Sequence, residues 1–202
     1  MDNFNLTKAC QSDPLIKKNF RGCFSADTLP ILKKQDTAII NLSLEREIGT
    51  HWISVAYVGV KTGNGAKTGN DARPKSGANA QCERIEFFDS FGSSPYDHPI
   101  LVKSLLKSCP NLYWRKDQIQ ANWSSSCGIF CCYYIYCVSR DIYLDEMHER
   151  FFHHNLPLKK LYINDLFVCN VITTLLSFKH KGTLQLIFDL DYLISAEKKK
   201  YS

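Results

Sequence analysis

Three short segments of the sequence contain a histidine, a carboxylate and a cysteine in settings that suit nucleophilic catalysis. They are His51-Trp52, the Phe-Asp-Ser-Phe-Gly sequence of residues 88–92, and residues 120–132. A cysteine nucleophile requires an imidazole that accepts its proton, a carboxylate that orients the imidazole, and hydrogen-bond donors for the oxyanion. Each requirement has a candidate in the three segments, so the segments are interpreted as one set.

Cys127 is the candidate nucleophile. It follows three serines and precedes Gly128 at the start of an apolar segment, residues 127–139, that is typical of a helix. The N-terminus of a helix lowers the pKa of a thiol, because its backbone N–H groups and its dipole favour the thiolate. Gly128 leaves room for a substrate, and the backbone N–H of Cys127 is a candidate oxyanion donor. A buried structural cysteine is the alternative interpretation of Cys127 taken alone.

His51, Asp89 and Gln120 are the candidate partners of this thiol. Histidine has a pKa near neutral, so His51 can take the thiol proton and return it; an exposed histidine at a strand end is the alternative. Asp89 ends an apolar strand and suits an acid that orients an imidazolium, although aspartate also initiates turns. Gln120 carries an amide donor seven residues before Cys127. Trp52 either packs in the core or shields the ion pair from water.

Composition and apolar patterning predict one α+β domain around these residues. The chain has 202 residues, of which 45% are hydrophobic and 22% charged, and these values exclude disordered, collagen-like and coiled-coil proteins. Runs of β-branched and aromatic residues predict strands, and apolar residues three and four apart predict helices. The predicted strands are residues 37–42, 51–60, 83–89 and 111–115, and the predicted helices are residues 99–107, 127–139, 161–178 and 184–194.

Three further segments complete the expected architecture, a small mixed sheet flanked by helices. The first thirty residues are predicted to form short helices and turns. Residues 127–138 are apolar on every side of a helical wheel, so we expect a central, buried helix. A near-duplicated stretch rich in glycine and lysine predicts a flexible basic loop at about 61–80, and the charged end predicts a solvated tail at about 196–202.

Charge, cysteine content and hydropathy limit the class of protein. The net charge of +5 is compatible with a nucleic-acid or other acidic partner and also with solubility alone. The longest apolar run is too short to span a membrane and the N-terminus lacks a signal pattern, so we expect a protein that is neither secreted nor membrane-bound. Nine cysteines, an odd number, predict mostly free thiols. No Cys-x-x-Cys motif occurs, so we expect no metal site and no cofactor required for the chemistry.

The three segments together resemble the adenain family, the cysteine proteases of adenoviruses and of related viruses and transposons of the Polinton and adintovirus type. The shared pattern is His-Trp on one strand, Phe-acid-x-Phe-Gly on the next, and a glutamine followed seven residues later by Cys-Gly-aliphatic-Phe-Cys-Cys, within residues 37–137. This resemblance implies a papain-like cysteine protease fold over the single domain 1–202. It implies Cys127 as nucleophile, His51 as general base and acid, and Asp89 as orienting carboxylate. It also implies an oxyanion hole formed by Gln120 and the backbone N–H of Cys127.

One departure points toward a second family. Adenain has glutamate at the position of Asp89, and the Asp-Ser pair is more similar to the ubiquitin-like-protein proteases, which share the His-Asp-Gln-Cys order. Those enzymes usually place the glutamine six residues before the cysteine. The spacing of seven between Gln120 and Cys127, together with the Cys-Gly-Ile-Phe-Cys-Cys sequence, favours the adenain side.

The resemblance also implies partners and a location. We expect a monomer that cuts viral or transposon-encoded capsid precursors during virion maturation, in the host nucleus or cytoplasm and in the virion. Adenain is activated by DNA and by a capsid-precursor peptide joined through a disulfide. Cys109, 18 residues before Cys127, is the corresponding candidate, and a structural thiol at a helix end is the alternative. Trp52 and Gly128 are candidate substrate-binding residues, and lysines of the 61–80 loop and of the tail are candidate DNA contacts.

Two other functions stay open at this point. A protease that removes ubiquitin-like modifiers would use the same chemistry, present a surface for a folded modifier and cut after a terminal Gly-Gly. A non-catalytic, basic DNA-binding capsid component could have inherited the fold alone. The presence of all four catalytic residue types argues against the second of these.

Overall fold

The computed structural model describes residues 2–59, 83–151 and 161–175, which form a sheet and the helices around it. The strands are β1 (Phe20–Ser25), β2 (Thr37–Asn41), β3 (Trp52–Val58), β4 (Arg84–Phe88) and β5 (Leu112–Trp114). The helices are α1 (Asn3–Ser12), α2 (Pro14–Asn19), α3 (Pro99–Ser108), α4 (Cys127–Val138), α5 (Leu144–Phe151) and α6 (Tyr162–Leu175), with a 3-10 turn at Pro95–Asp97. The predicted loop at about 61–80, helix at 184–194 and tail at about 196–202 lie outside the described residues.

The sheet is mixed and brings two of the candidate segments to one end. Its order is β1-β2-β3-β4-β5, with parallel outer pairs and antiparallel inner pairs. Strands β3 and β4 pair in the register that sets Ser54 opposite Phe88. Because antiparallel neighbours run in opposite directions, the residue before β3 and the residues after β4 lie at the same sheet end. His51 and Asp89 therefore lie at the same end of the sheet. The strand order and the surrounding helices confirm the prediction of an α+β fold with a small mixed sheet.

Helix α4 fills the middle of the molecule. Nine of its residues are buried, and it packs against β2 and β3 on one side and against α1, α5 and α6 on the others. Burying a side chain such as Phe130 or Ile135 contributes about 1.5–3 kcal/mol each. The helix that begins at Cys127 is thus held rigidly, and the prediction of a central buried helix is confirmed.

The two faces of the sheet carry separate cores. Neighbouring residues of a strand point to opposite faces, so Phe88 packs with α1 and α4 while Phe87 packs with α3. Leu101 and Leu105 are the residues of α3 that close this second core. The burial of both faces fixes the ends of β3 and β4 relative to the start of α4.

Two elements differ from the sequence prediction. Strand β1 follows α1 and α2 in the first thirty residues, where only short helices and turns were expected. Its alternation is broken at Gly22, which has a φ of 126°, and its register with β2 shifts between Phe20 and Cys23. Helix α5 was also not expected, because most of its residues are polar; its apolar residues, among them Met147, face the core at helical spacing.

Candidate active site

The site lies where the start of β3, the end of β4 and the start of α4 meet. Nε2 of His51 is 2.8 Å from Oδ1 of Asp89, and the imidazole and the thiol of Cys127 are close enough for each to shift the pKa of the other. Since Nε2 faces the carboxylate, Nδ1 is the nitrogen available to accept the thiol proton. The structure thus brings together the three side chains that the sequence analysis assigns to nucleophile, base and orienting acid.

The surroundings of this pair favour a thiolate and an imidazolium. Burial alone lowers the pKa of His51, but the hydrogen bonds to Asp89 and Cys127 outweigh it and raise the pKa to about 9. Burial alone raises the pKa of Cys127, but the hydrogen bond to His51 and the backbone N–H groups of Trp52 and Gly128 bring it below its ordinary value. Donors that stabilise the charged form shift a pKa in this direction. Cys127 is therefore placed to react as a thiolate.

The turn after β4 builds one side of the site. Oδ1 of Asp89 accepts hydrogen bonds from His51 and from the backbone N–H of Phe91, each at 2.8 Å. The ring of Phe91 packs against the imidazole, with 5.0 Å between the ring centroids. Gly92 has a φ of 74°, and a Cβ there would collide with the backbone carbonyl of Lys116. A glycine is therefore required for the turn that directs Asp89 and Phe91 toward His51.

Gln120 is fixed by hydrogen bonds at both ends of its amide. The hydroxyl of Ser90 donates to Oε1 at 2.6 Å, and Nε2 donates to the backbone carbonyl of Ser124 at 2.8 Å. An amide nitrogen carries two hydrogens, so one remains for an oxyanion formed next to Cys127. Gln120 is fully buried, and its two hydrogen bonds hold the amide in one position.

The N-terminus of α4 is left open for the sulfur and the oxyanion. Ser126 occupies the N-cap position, yet its side chain makes no capping hydrogen bond to the first turn. Its hydroxyl donates instead to Asp165 of α6. The first N–H groups of a helix have no partner inside the helix. The N–H of Gly128 contributes to lowering the pKa of the Cys127 thiol, and the N–H of Cys127 is the second candidate oxyanion donor.

The candidate binding residues have different surroundings. The ring of Trp52 is 8% exposed and belongs to the core, so its contribution to the site is the backbone N–H that faces the sulfur. Gly128 is buried in the first turn of α4. Cys109 follows α3 and is 2% exposed, and its thiol donates to the backbone carbonyl of Glu83 at 3.5 Å. A disulfide to a peptide at Cys109 would require this end of α3 to open.

Sequence reasoning missed the residues that support the site. Ser90 and Phe91 lie inside a recognised segment but received no role there. Asn164 and Asp165, both buried, contact the segment that contains Gln120. Asp165, a carboxylate inside the helix predicted at 161–178, was the available signal for these contacts. A charged residue is rarely buried without a specific partner, so its position in an apolar helix indicates a partner elsewhere in the chain.

Within the described residues, no group of three or more histidine, cysteine or acidic side chains is arranged to hold a metal ion. The helices of these residues include none with the length and apolarity needed to cross a membrane. No protein-family model and no curated protein matches the chain. The chemistry that the arrangement allows is nucleophilic attack by Cys127, with His51 as proton acceptor and donor.

Proposed function

We propose that this protein is a cysteine endopeptidase of the papain-like, adenain type. The observation that carries the proposal is the convergence of His51, Asp89 and Cys127 at the start of a buried helix, with 2.8 Å between imidazole and carboxylate. Nucleophile, base and orienting acid are the arrangement that acyl transfer requires. The mixed sheet and central helix are compatible with such a fold.

The reaction follows from the two charged partners. The sulfur of Cys127 attacks the carbonyl carbon of the substrate, and the carbonyl electron pair moves to the oxygen, where backbone N–H groups and Gln120 stabilise it. When the tetrahedral intermediate collapses, the C–N bond breaks and His51 gives its proton to the leaving amine. A water molecule then attacks the thioester while His51 takes a proton from it, and the carboxylic acid and the resting pair are released.

The substrate class is proposed from the family resemblance. A protease of this type would cut viral or transposon-encoded capsid precursors during virion maturation, in the host cell and in the virion. DNA and an activating peptide are proposed partners on the same ground. Burial of Cys109 makes attachment of a peptide there the least supported part of this proposal.

Removal of a ubiquitin-like modifier is the second candidate function. The ground for it is the Asp89-Ser90 pair, which resembles the pair in the ubiquitin-like-protein proteases and whose Ser90 hydroxyl donates to Oε1 of Gln120 at 2.6 Å. Such an enzyme would use the same three catalytic side chains on a folded substrate.

Cleavage assays on the full chain separate these functions. The wild type is incubated with a capsid-precursor peptide containing glycine at the cleavage position and with a conjugated ubiquitin-like protein. We expect cleavage of the peptide, loss of cleavage in Cys127→Ala and His51→Ala, and normal cleavage in Cys131→Ala. Cleavage of the conjugate alone would favour the second function. Full activity of Cys127→Ala would refute both and leave the DNA-binding capsid component as the remaining hypothesis.

A further inference from the structure

Two side chains in the first turn of α6 hydrogen-bond the segment between Gln120 and Cys127, whose amide and backbone N–H are the two candidate oxyanion donors. Nδ2 of Asn164 donates to the backbone carbonyl of Ile119 at 3.0 Å. Oδ2 of Asp165 accepts from the backbone N–H of Ala121 at 3.0 Å, and Oδ1 accepts from the hydroxyl of Ser126. Helix α6 thus holds both ends of this segment through two adjacent side chains.

The two donors to Asp165 are the immediate neighbours of the oxyanion donors. Ala121 follows Gln120, and Ser126 precedes Cys127. One carboxylate therefore fixes the distance between the Gln120 amide and the start of α4. Geometry at this scale matters, because a displacement of about 1 Å in a catalytic group lowers rates by about 100-fold.

Asp165 also determines how α4 begins. A serine at the N-cap position ordinarily accepts a hydrogen bond from a backbone N–H of the first turn. The hydroxyl of Ser126 bonds Asp165 and, at 2.6 Å, the hydroxyl of Ser124 instead, and no such cap forms. The N–H groups of Cys127 and Gly128 thus carry no side-chain cap at the position of the reacting sulfur.

Hydrogen bonds offset part of the cost of burying this carboxylate: burial raises the pKa of Asp165, and the hydrogen bonds lower it without cancelling the rise. Asp165 has no solvent-exposed surface, and a buried carboxylate is unfavourable by several kcal/mol unless hydrogen bonds compensate it. The hydrogen bonds that compensate it come from the Gln120–Cys127 segment, so the position of that segment and the burial of Asp165 depend on each other.

We infer that Asp165 is a positioning residue of the oxyanion hole, holding the Gln120 amide and the uncapped start of α4 in register across the Ala121–Ser126 segment. The inference rests on the proposed peptidase function. It assigns Asp165 no contact with the substrate and no proton transfer.

The test compares turnover with alkylation of Cys127 in the full chain. Alkylation by iodoacetamide needs the thiolate but no oxyanion hole, whereas peptide cleavage needs both. For Asp165→Ala we expect kcat to fall about 10- to 100-fold with KM nearly unchanged and with alkylation of Cys127 within about twofold of wild type, since loss of an oxyanion donor costs about 100- to 1,000-fold. Asp165→Asn should recover most of kcat, because its amide can accept from Ala121 and donate to Ser126.

Glu86→Gln is the matched control for loss of a buried carboxylate. Glu86 has no exposed surface, and it accepts from Arg84, from the hydroxyl of Tyr134 and from the backbone N–H of Leu144. We expect this variant to lose stability but to keep wild-type kcat per folded molecule. A similar fall in kcat for Glu86→Gln would indicate a general effect of destabilisation and overturn the inference.

A second variant covers the case in which Asp165→Ala does not fold. Ser126→Ala removes one hydrogen bond to the Asp165 carboxylate and should lower kcat about 3- to 10-fold, with alkylation of Cys127 unchanged. This fall is smaller than the one expected when a whole oxyanion donor is lost. A wild-type kcat in Ser126→Ala, or a fall in alkylation parallel to the fall in kcat, would refute the positioning role. If the wild type cleaves no peptide, the proposed function fails, and the inference fails with it. A wild-type kcat in Asp165→Ala refutes the inference alone.

Discussion

Two of the cysteines in the first two turns of α4, Cys127 and Cys131, have opposite properties. Cys127 is partly exposed, and His51 and backbone N–H groups lower its pKa against the effect of burial. Cys131, one turn further, is 1% exposed, and burial raises its pKa well above the ordinary value. The helix and the residue type are the same. Position relative to the helix end and to His51 therefore decides which of the two thiols has a lowered pKa.

The largest expected effect is on the alkylation of these two thiols. At pH 7 iodoacetamide should modify Cys127 at least about 1,000-fold faster than Cys131, because Cys127 has a lowered pKa and is partly exposed, whereas Cys131 has a raised pKa and is buried. Labelling of Cys127 should also persist at a lower pH than that of an ordinary thiol, as its lowered pKa requires. Mass spectrometry of the labelled peptides measures both rates.

Unfolding provides the control for this comparison. In concentrated urea both thiols are exposed, and their rates should agree within about threefold, as expected for thiols of ordinary pKa. A native-state ratio below about 10 would contradict the assignment of Cys127 as a thiolate paired with His51.

The next largest effect is expected at Asp89, the carboxylate next to His51, which in turn distinguishes Cys127 from Cys131. Asp89→Asn keeps the size of the side chain but removes the charge that stabilises the imidazolium, so we expect kcat to fall about 100- to 10,000-fold. The control is Asp117→Asn, because Asp117 is half-exposed, pairs with Arg115 and lies outside the site. Equal activity of the two variants would mean that Asp89 does not orient His51.

The same substitution changes how stability depends on pH. Folding raises the pKa of His51 from 6.5 to about 9, so the stabilisation from the protonated ring is complete below pH 6.5 and is lost as the pH rises to about 9. Asp89→Asn should remove much of this loss. Urea unfolding of the wild type and of Asp89→Asn at pH 6 and pH 9.5 measures the free energy of unfolding at each pH. If the decrease between the two pH values is the same in both proteins, Asp89 is not the partner that raises the pKa of His51.

The smallest effect is expected at Phe91. An aromatic contact contributes about 0.5–1.5 kcal/mol beyond burial, so Phe91→Leu should loosen the imidazole and lower kcat about 3- to 10-fold, with alkylation of Cys127 reduced less. Phe4→Leu replaces a phenylalanine that is 73% exposed and should leave both values unchanged. A wild-type kcat in Phe91→Leu would show that Asp89 alone orients the ring.

Local patterns in the sequence account for most of the core of the molecule. The residues of α4 are apolar on every side, and only a central position buries them all. Strands β2 to β4 contain β-branched and aromatic runs that predict them within a few residues. Their antiparallel pairing, which brings His51 to Asp89, is the ordinary arrangement of neighbouring strands.

The supporting contacts could not be predicted in this way, because they join distant parts of the chain. Asp165 meets Ala121 only after α6 has packed against α4, and no local period encodes that packing. Strand β1 was missed for a different reason: Gly22 and the shifted register interrupt the alternation on which strand prediction depends. Phe91 belongs to a turn, where its ring direction depends on the positive φ of Gly92.

The antiparallel register of β3 and β4 also places the two ends of their connection away from the candidate site. The connection between these strands leaves after Val58 and returns before Arg84, residues that pair with each other at the sheet end opposite His51 and Asp89. At about 3.4 Å per residue, the two ends are about 20 Å apart. Deleting or exchanging residues of the connection should therefore leave the spacing of imidazole and carboxylate intact, which makes it a suitable place for tags, fluorophores or grafted peptides.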